Sequence, residues 1–100
     1  MEQLSLRLRR QALADIAGIR KWYRKIDPAL EVRFVRELNA ALDRIQRLPF
    51  TYQAIYGSTR RGFLEKFPNN VFYVVRDSAV VVVAVLHQKR DPALAQLRTE

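Results

Sequence analysis

The sequence predicts an α+β domain of two layers, in which a helical hairpin packs on a mostly antiparallel four-stranded sheet. Three observations lead to this fold class. An alternating segment opens the chain, two helical patterns follow with almost no linker between them, and three strand-like runs joined by tight turns come last. The predicted order is β-α-α-β-β-β with a short C-terminal helix, and residues 1–100 are expected to form a single domain.

The first strand is predicted at Gln3–Arg9, because Leu4, Leu6 and Leu8 alternate with polar residues. A helical pattern follows, in which apolar residues recur at spacings of four, three, four and three. This stripe consists of Ala12, Ile16, Ile19, Tyr23 and Ile26. Trp22 lies at the flank of the stripe, which favours a place at the rim of the core.

A second helix is predicted to begin directly after the first. Asp27 can accept a hydrogen bond as its N-cap, and Pro28 suits the first helical position. Its apolar stripe has the same spacing and consists of Phe34, Leu38, Ala41, Ile45 and Leu48. Pro49 ends this helix. Two helices with so short a connection are expected to form an antiparallel hairpin.

The remaining residues predict a loop and three strands. The predicted segments are a loop at Phe50–Thr59 and strands at Arg60–Phe67, Val71–Arg76 and Ala79–Gln88. Asp77-Ser78 is expected to form a tight turn between the last two strands. Connections this short indicate an antiparallel meander.

The last strand is apolar on both faces and is therefore expected inside the sheet. Strict alternation places His87 on the face of Val81, Val83 and Val85. The opposite face then carries Val80, Val82, Ala84 and Leu86. One hairpin covers only one face, so the other face requires either the C-terminal segment Pro92–Leu97 or a partner protein.

Composition limits the possible functions. Eighteen Lys and Arg residues against ten acids give a net charge of +8, which attracts nucleic acid, an enzyme bound to nucleic acid, or an acidic protein. The chain has no cysteine and one histidine, so neither a disulfide nor a zinc site is expected, and no cofactor motif is present. It carries no signal-peptide pattern, and its longest apolar run has eight residues. We therefore expect a cytoplasmic protein without a membrane partner.

The candidate functional residues are cationic and lie on or near the meander. His87 and the following Lys89 and Arg90 come where a buried strand reaches solvent, a position from which side chains can contact a partner. For His87 the alternatives are a hydrogen-bonded structural residue and a catalyst. For Lys89 and Arg90 the alternatives are ordinary solvated surface residues and residues that contact a partner. Asp91 is expected to cap the final helix.

The ordered motifs of the whole chain resemble the RelE/ParE superfamily, toxins of bacterial type II toxin–antitoxin modules that also act in plasmid stabilisation. The matching segments are Ala14-Asp15-Ile16, Trp22-Tyr23, the Phe34–Pro49 helix, Arg61, Phe67-Pro68, Val71-Phe72-Tyr73 and the ending His87-Gln88-Lys89-Arg90-Asp91-Pro92. The resemblance implies the same fold and a cognate antitoxin partner. On the hairpin side, Trp22 and Tyr23 are the predicted antitoxin-binding residues.

The resemblance also divides the function into two branches. RelE-like members cleave messenger RNA on the ribosome and carry arginines at strand positions that match Asn70 and Gln88 here. They also carry a C-terminal tyrosine or histidine, whereas Leu97-Arg98-Thr99-Glu100 contains no aromatic residue. ParE-like members inhibit DNA gyrase. These departures from the ribonuclease pattern favour a ParE-like protein that inhibits gyrase by binding it and does not cleave RNA. Its predicted target-binding residues are Arg60, Arg61, His87, Lys89 and Arg90.

Two alternatives remain open at this point. In a ribonuclease acting on the ribosome and its messenger RNA, the candidate catalytic residues are Arg61, His87, Lys89 and Arg90. A basic RNA-binding module would need exposed aromatic rings beside its cations. The aromatic residues of the strands are instead predicted mostly in the core: Phe63, Phe67, Phe72 and Tyr73.

Overall fold

The computed structural model of the chain describes residues 3–99 and confirms the predicted fold class. The helices are α1 (Arg10–Ile26), α2 (Pro28–Arg47) and α3 (Ala93–Thr99). The strands are β1 (Ser5–Leu8), β2 (Ala54–Tyr56), β3 (Thr59–Phe63), β4 (Asn69–Arg76) and β5 (Ala79–His87). They form one sheet in the order β1-β5-β4-β3-β2, in which only the β1–β5 pair is parallel. None of the helices within residues 3–99 combines the length and the apolar character that a membrane crossing requires.

The sheet has five strands rather than the predicted four. The additional strand β2 lies within the predicted loop Phe50–Thr59 and pairs with β3 at the edge of the sheet. It has only three residues, and a backbone hydrogen bond from Arg61 to Gln53 extends its pairing. So short an edge strand has no alternating pattern of its own, which is why the sequence predicted a loop.

The helical hairpin forms as predicted. Asp27 caps α2 by accepting a hydrogen bond from the backbone N–H of Ala29 at 2.9 Å, and Pro28 occupies the first helical turn. The predicted stripe of α2 is buried from Phe34 to Ile45, but its last predicted member, Leu48, follows the end of the helix and is 59% exposed. The stripe of α1 packs on the same core except at its end, where Ile26 is 59% exposed.

We expect Asp27→Ala to reduce the free energy of unfolding by about 0.5–2 kcal/mol. The alanine removes the acceptor for one N–H of the first turn of α2, which then has no partner within the helix. Chemical denaturation of the variant measures the loss. Asp27→Ser keeps a cap and should lie close to the parent protein, so an equal loss in both variants would contradict the capping role.

Glu31 joins the two helices of the hairpin. Its carboxylate accepts hydrogen bonds from Arg24 at 2.8 and 2.6 Å and from Arg20 at 3.0 Å. The hydrogen bond from Arg24, supported by the one from Arg20, lowers the pKa of Glu31 to about 2.

A group whose pKa falls on folding stabilises the folded state above its unfolded pKa and loses this effect at lower pH. We therefore expect the contribution of Glu31 to be complete above its ordinary pKa of 4.5 and to disappear as the pH falls towards 2. Denaturant unfolding at a series of pH values would show this as a steeper acid loss in the parent than in Glu31→Gln. Identical pH profiles would contradict it.

The turn between β4 and β5 also forms as predicted. Asp77 and Ser78 have φ values of 50° and 62°, the left-handed conformation that both central residues of a type I′ hairpin turn require. The turn sets the antiparallel register in which Arg76 opposes Ala79 and Val74 opposes Val81. As expected, β5 lies inside the sheet, between β1 and β4.

A β-bulge overturns the predicted faces of the last strand. Tyr73 opposes Val82 but the neighbouring Phe72 opposes Ala84, so Val83 is an extra residue in β5. The alternation of side chains shifts at this point. Val80, Val82 and Val85 pack on the hairpin side, whereas Val83, Ala84 and Leu86 pack on the other side. His87, two residues beyond Val85, therefore lies on the hairpin side of the sheet.

The second face of the sheet is covered by α3. Ala95 is completely buried there in a cluster with Phe72 and Leu86, and Leu94 packs against this cluster. This resolves the choice between the C-terminal segment and a partner protein, for the part of the face that α3 reaches.

The prediction of core aromatic residues holds for Phe67, Phe72 and Tyr73 but is wrong for Phe63, which is 54% exposed. Phe63 ends β3 beyond the area that α3 covers.

Candidate functional site

The strand β5 ends in an exposed group of three cationic or titratable side chains, His87, Lys89 and Arg90, here called the cationic strand end. Backbone hydrogen bonds hold the turn that carries them. The N–H of Gln88 donates to Pro68 at 2.8 Å, and the N–H of Arg90 donates to His87 at 2.9 Å. The buried residues before them fix the strand, so the cationic strand end presents its charges from a rigid base.

His87 takes part in the structure of this turn. Its Nδ1 accepts a hydrogen bond from the backbone N–H of Lys89 at 3.0 Å. The ring is exposed, so Nε2 remains available to a partner. Asp91 caps α3 as predicted, because its Oδ1 accepts a hydrogen bond from the N–H of Ala93 at 2.9 Å.

A groove of 580 Å³ runs between α1 and the end of β5 and is here called the helix groove. It is lined by Ala14, Asp15, Gly18, Ile19, Trp22, Tyr23, Pro68, Asn69, Val85, Leu86, His87 and Arg90. A Cβ atom at Gly18 would meet nothing within 4 Å, so this glycine serves no internal contact and leaves the groove open. The groove thus has an apolar wall on α1 and two members of the cationic strand end at one side.

The two residues predicted to bind an antitoxin both line the helix groove but differ in burial. Trp22 is 64% exposed. Tyr23 is half-buried, and its ring centroid lies 5.5 Å from that of Phe34 and 5.1 Å from that of Phe67. Burial raises the pKa of the Tyr23 hydroxyl. Trp22 is therefore the more accessible of the two, and Tyr23 forms the floor of the groove and part of the core.

The five predicted target-binding residues do not form one surface. Only His87 and Arg90 share the helix groove. Arg60 pairs with Tyr73 on the hairpin side, donates a hydrogen bond to the Tyr52 carbonyl at 2.6 Å and stacks 4.9 Å from the ring of Phe50. Arg61 pairs with Phe72 and so lies on the opposite face, and Lys89 lies in the exposed turn after β5.

A smaller groove of 340 Å³, here called the sheet groove, opens on the Arg61 side of the sheet. Asn70 and Gln88, the positions at which the ribonuclease branch carries arginines, both line it together with Arg61. Their amides hold no positive charge to stabilise a developing phosphorane. Of the described residues that line it, none is a histidine, tyrosine or acid that could move the 2′-OH proton. His87 lies on the other face of the sheet.

An ion pair that the sequence did not predict links the wall of the helix groove to α3. Asp15 of α1 accepts hydrogen bonds from Arg98 of α3 at 2.6 Å and from the backbone N–H of Val85 at 3.0 Å. Arg98 also donates to the Val83 carbonyl at 3.2 Å. The pair thus supplies hydrogen-bond partners to backbone groups of β5 that lie beyond the last residue paired with β1. Arg98 also neutralises the charge of Asp15 in the wall of the groove. Asp15 was visible in the Ala-Asp-Ile motif, but its partner lies 83 positions away.

Comparison with known proteins identifies the family. The model of the family described as the ParE toxin of the type II toxin–antitoxin system parDE matches residues 6–92. The chain belongs to the ParE toxin family. The match covers α1, α2 and all five strands except the first residue of β1, and it ends just before α3.

The fold is also that of a solved ParE-system structure. The chain is similar to a structure described as the chromosomal ParDE toxin–antitoxin system from P. aeruginosa, with a TM-score of 0.76 and 18% sequence identity. The alignment covers 85% of this chain and 96% of the other. No match was found among curated proteins. Membership of the ParE family confirms the resemblance that the sequence motifs indicated and makes this chain a type II toxin.

Proposed function

We propose that this ParE-family toxin inhibits growth by binding DNA gyrase, and that a cognate antitoxin neutralises it. The proposal rests on the family match together with one observation about the sheet groove. Among the described residues that line the sheet groove, Arg61 is the cation, and amides stand at Asn70 and Gln88, where the ribonuclease branch carries arginines. His87 lies on the other face of the sheet. Such an arrangement supports binding without bond cleavage.

The cationic strand end is the proposed contact with gyrase. Lys89 and Arg90 are exposed on a turn held by backbone hydrogen bonds, and the protein carries a net charge of +8. A positive surface of this kind accelerates encounter with a negatively charged partner and fixes its orientation. An enzyme that works on DNA presents such a partner, either through acidic side chains or through the DNA that it holds.

The helix groove is the proposed binding site of the antitoxin. Trp22 supplies a large exposed apolar surface, Gly18 leaves space beside it, and Arg90 lies at the same groove. These features suit an extended or helical segment with apolar anchors and acidic flanks. The reading frame beside the toxin gene should encode this partner, and the two proteins should co-purify as a complex.

Two assays on the purified protein test the proposed target. We expect inhibition of DNA supercoiling by gyrase and no cleavage of messenger RNA on translating ribosomes. Adding the antitoxin should restore supercoiling. Cleavage of RNA with unchanged supercoiling would replace this proposal with the ribonuclease, and harmless expression of the chain without a partner would argue against a toxin altogether.

A further inference from the structure

An exposed ridge on β3 lies apart from the cationic strand end and lines no part of the helix groove. It consists of Arg61 and Phe63, here called the β3 ridge. Phe63 is 54% exposed, and its ring meets that of Tyr52 edge-on, with the centroids 5.5 Å apart and the planes at 83°. The contact with Tyr52 orients the Phe63 ring, and the exposed part of the ring is accessible to a stacking partner.

The β3 ridge separates two grooves of equal size. On one side is the sheet groove, and on the other is a groove of 340 Å³ along the outer edge of the sheet, here called the edge groove. Arg61 and Phe63 line both grooves. Each volume lies at the lower end of the range for small-molecule sites.

The chemistry of the two grooves is that of a nucleic-acid contact. Amide side chains lie on both sides of the ridge, Asn70 and Gln88 in the sheet groove and Gln53 in the edge groove. Among the described residues that line the two grooves, none is an acid, and Arg61 supplies a positive charge to each. Single strands bind where aromatic rings stack with bases beside cations that contact the phosphates.

The exposure of the ridge has a structural cause. Phe63 pairs with Asn70, and Asn70 pairs with Leu86, so these side chains form one row across the face that α3 covers. The cluster under α3 includes Leu86 but ends before Phe63. The helix is only seven residues long and therefore leaves this end of the sheet open.

We propose that the β3 ridge binds single-stranded DNA. One base stacks on the exposed face of Phe63, Arg61 contacts an adjacent phosphate, and the amides of Asn70 and Gln88 contact base edges. The choice of DNA over RNA rests on the proposed function, because gyrase is a DNA-bound enzyme. The ridge would let the toxin hold a DNA strand while the cationic strand end contacts the enzyme.

The experiment measures fluorescence anisotropy of a labelled oligo-dT of about twelve nucleotides with the purified chain and no gyrase. Probes of oligo-U and of duplex DNA with the same length and label test whether the chain prefers RNA or double-stranded DNA. We expect oligo-dT to bind more tightly than either. Phe63→Leu should weaken binding by about 5- to 150-fold, the loss of one stacked base, whereas Phe63→Trp should retain it.

Arg61→Gln should weaken oligo-dT binding and reduce the slope of log Kd against log salt by about 0.7, the value for one phosphate contact on a single strand. Arg76→Gln is the matched control, because it removes the same charge from an exposed arginine at the other end of β4. Tyr56→Leu is the aromatic control, since it removes an exposed ring from β2 that lines neither groove. Neither control should change the affinity by more than about twofold, which is within the usual scatter of surface substitutions.

Several outcomes would overturn the inference. Two concern the variants: an equal loss of oligo-dT affinity in Arg61→Gln and Arg76→Gln, or unchanged oligo-dT affinity in Phe63→Leu. Two concern the parent chain: tighter binding of oligo-U or of duplex DNA than of oligo-dT, or no binding of oligo-dT at low salt. If Phe63→Leu keeps oligo-dT binding but fails to inhibit gyrase, the ridge is a protein contact instead. Because the anisotropy assay contains no gyrase, failure of this inference and failure of the proposed function are separate results.

Discussion

Reversing both charges of the exposed turn, in the double variant Lys89→Glu/Arg90→Glu, is expected to relieve growth inhibition and to abolish most inhibition of gyrase. Each reversal removes one positive charge and adds one negative, so the net charge falls from +8 to +4. Loss of electrostatic steering alone lowers association rates by about 10- to 1,000-fold, and like charges at the contact oppose binding further. Supercoiling assays with a concentration series of the variant measure the loss.

The fold should survive this change. Lys89 and Arg90 are exposed beyond the last residue of β5, and the hydrogen bonds that hold the turn come from their backbone N–H groups. Arg33→Glu/Arg36→Glu, which reverses two exposed arginines of α2, is the matched control with the same net charge. Equal loss of activity in both double variants would show that net charge, and not the cationic strand end, determines binding.

His87→Gln distinguishes binding from catalysis at the same position. We expect it to have a smaller effect on gyrase inhibition than the double reversal, because a binding surface needs no proton-transfer group. A ribonuclease that relied on His87 would lose on the order of 10²–10⁴ in rate. RNA cleavage that disappears in His87→Gln, with supercoiling untouched, would contradict the proposed function.

The largest stability effect is expected at the ion pair between α1 and α3. Asp15→Ala leaves the guanidinium of Arg98 and the backbone N–H of Val85 without their acceptor, and the side chains of Asp15 and Arg98 are only 16% and 19% exposed. Removing one partner of a fully buried pair costs about 3–5 kcal/mol, and for this part-buried pair we expect a loss of about 2–3 kcal/mol. For a domain of this size, that corresponds to a fall in Tm on the order of 10–20 °C. Thermal unfolding measures it.

A double-mutant cycle separates the pair from its surroundings. Arg98→Met leaves Asp15 unpaired, and the combined variant removes both charges, so the double loss should be smaller than the sum by about 0.5–3 kcal/mol. Asp15→Asn keeps an acceptor for the Val85 N–H and should be milder than Asp15→Ala. A loss within about 0.5 kcal/mol for Asp15→Ala would mean that the pair behaves as ordinary surface charges.

The sequence by itself determined the hairpin, the family and the order of elements apart from the short strand β2. Asp27 and Pro28 act on the helix that they begin, and Asp77-Ser78 forms a turn from its own backbone conformation. The apolar stripes of α1 and α2 repeat every three or four residues, which is a property of one helix and needs no knowledge of its neighbours. The cationic strand end was likewise visible, because a buried strand must meet solvent where its apolar run stops.

Only the tertiary structure decided which face each functional side chain takes. The extra residue Val83 sits in a run of valines that carries no mark of a bulge, yet it moves His87 to the hairpin side and leaves Arg61 on the other. Asp15 pairs with Arg98, which lies 83 positions away in the sequence. Phe63 is exposed because α3 does not extend over it. Register, long-range pairing and the reach of a covering helix depend on how separate elements meet. Local periodicity therefore cannot encode them.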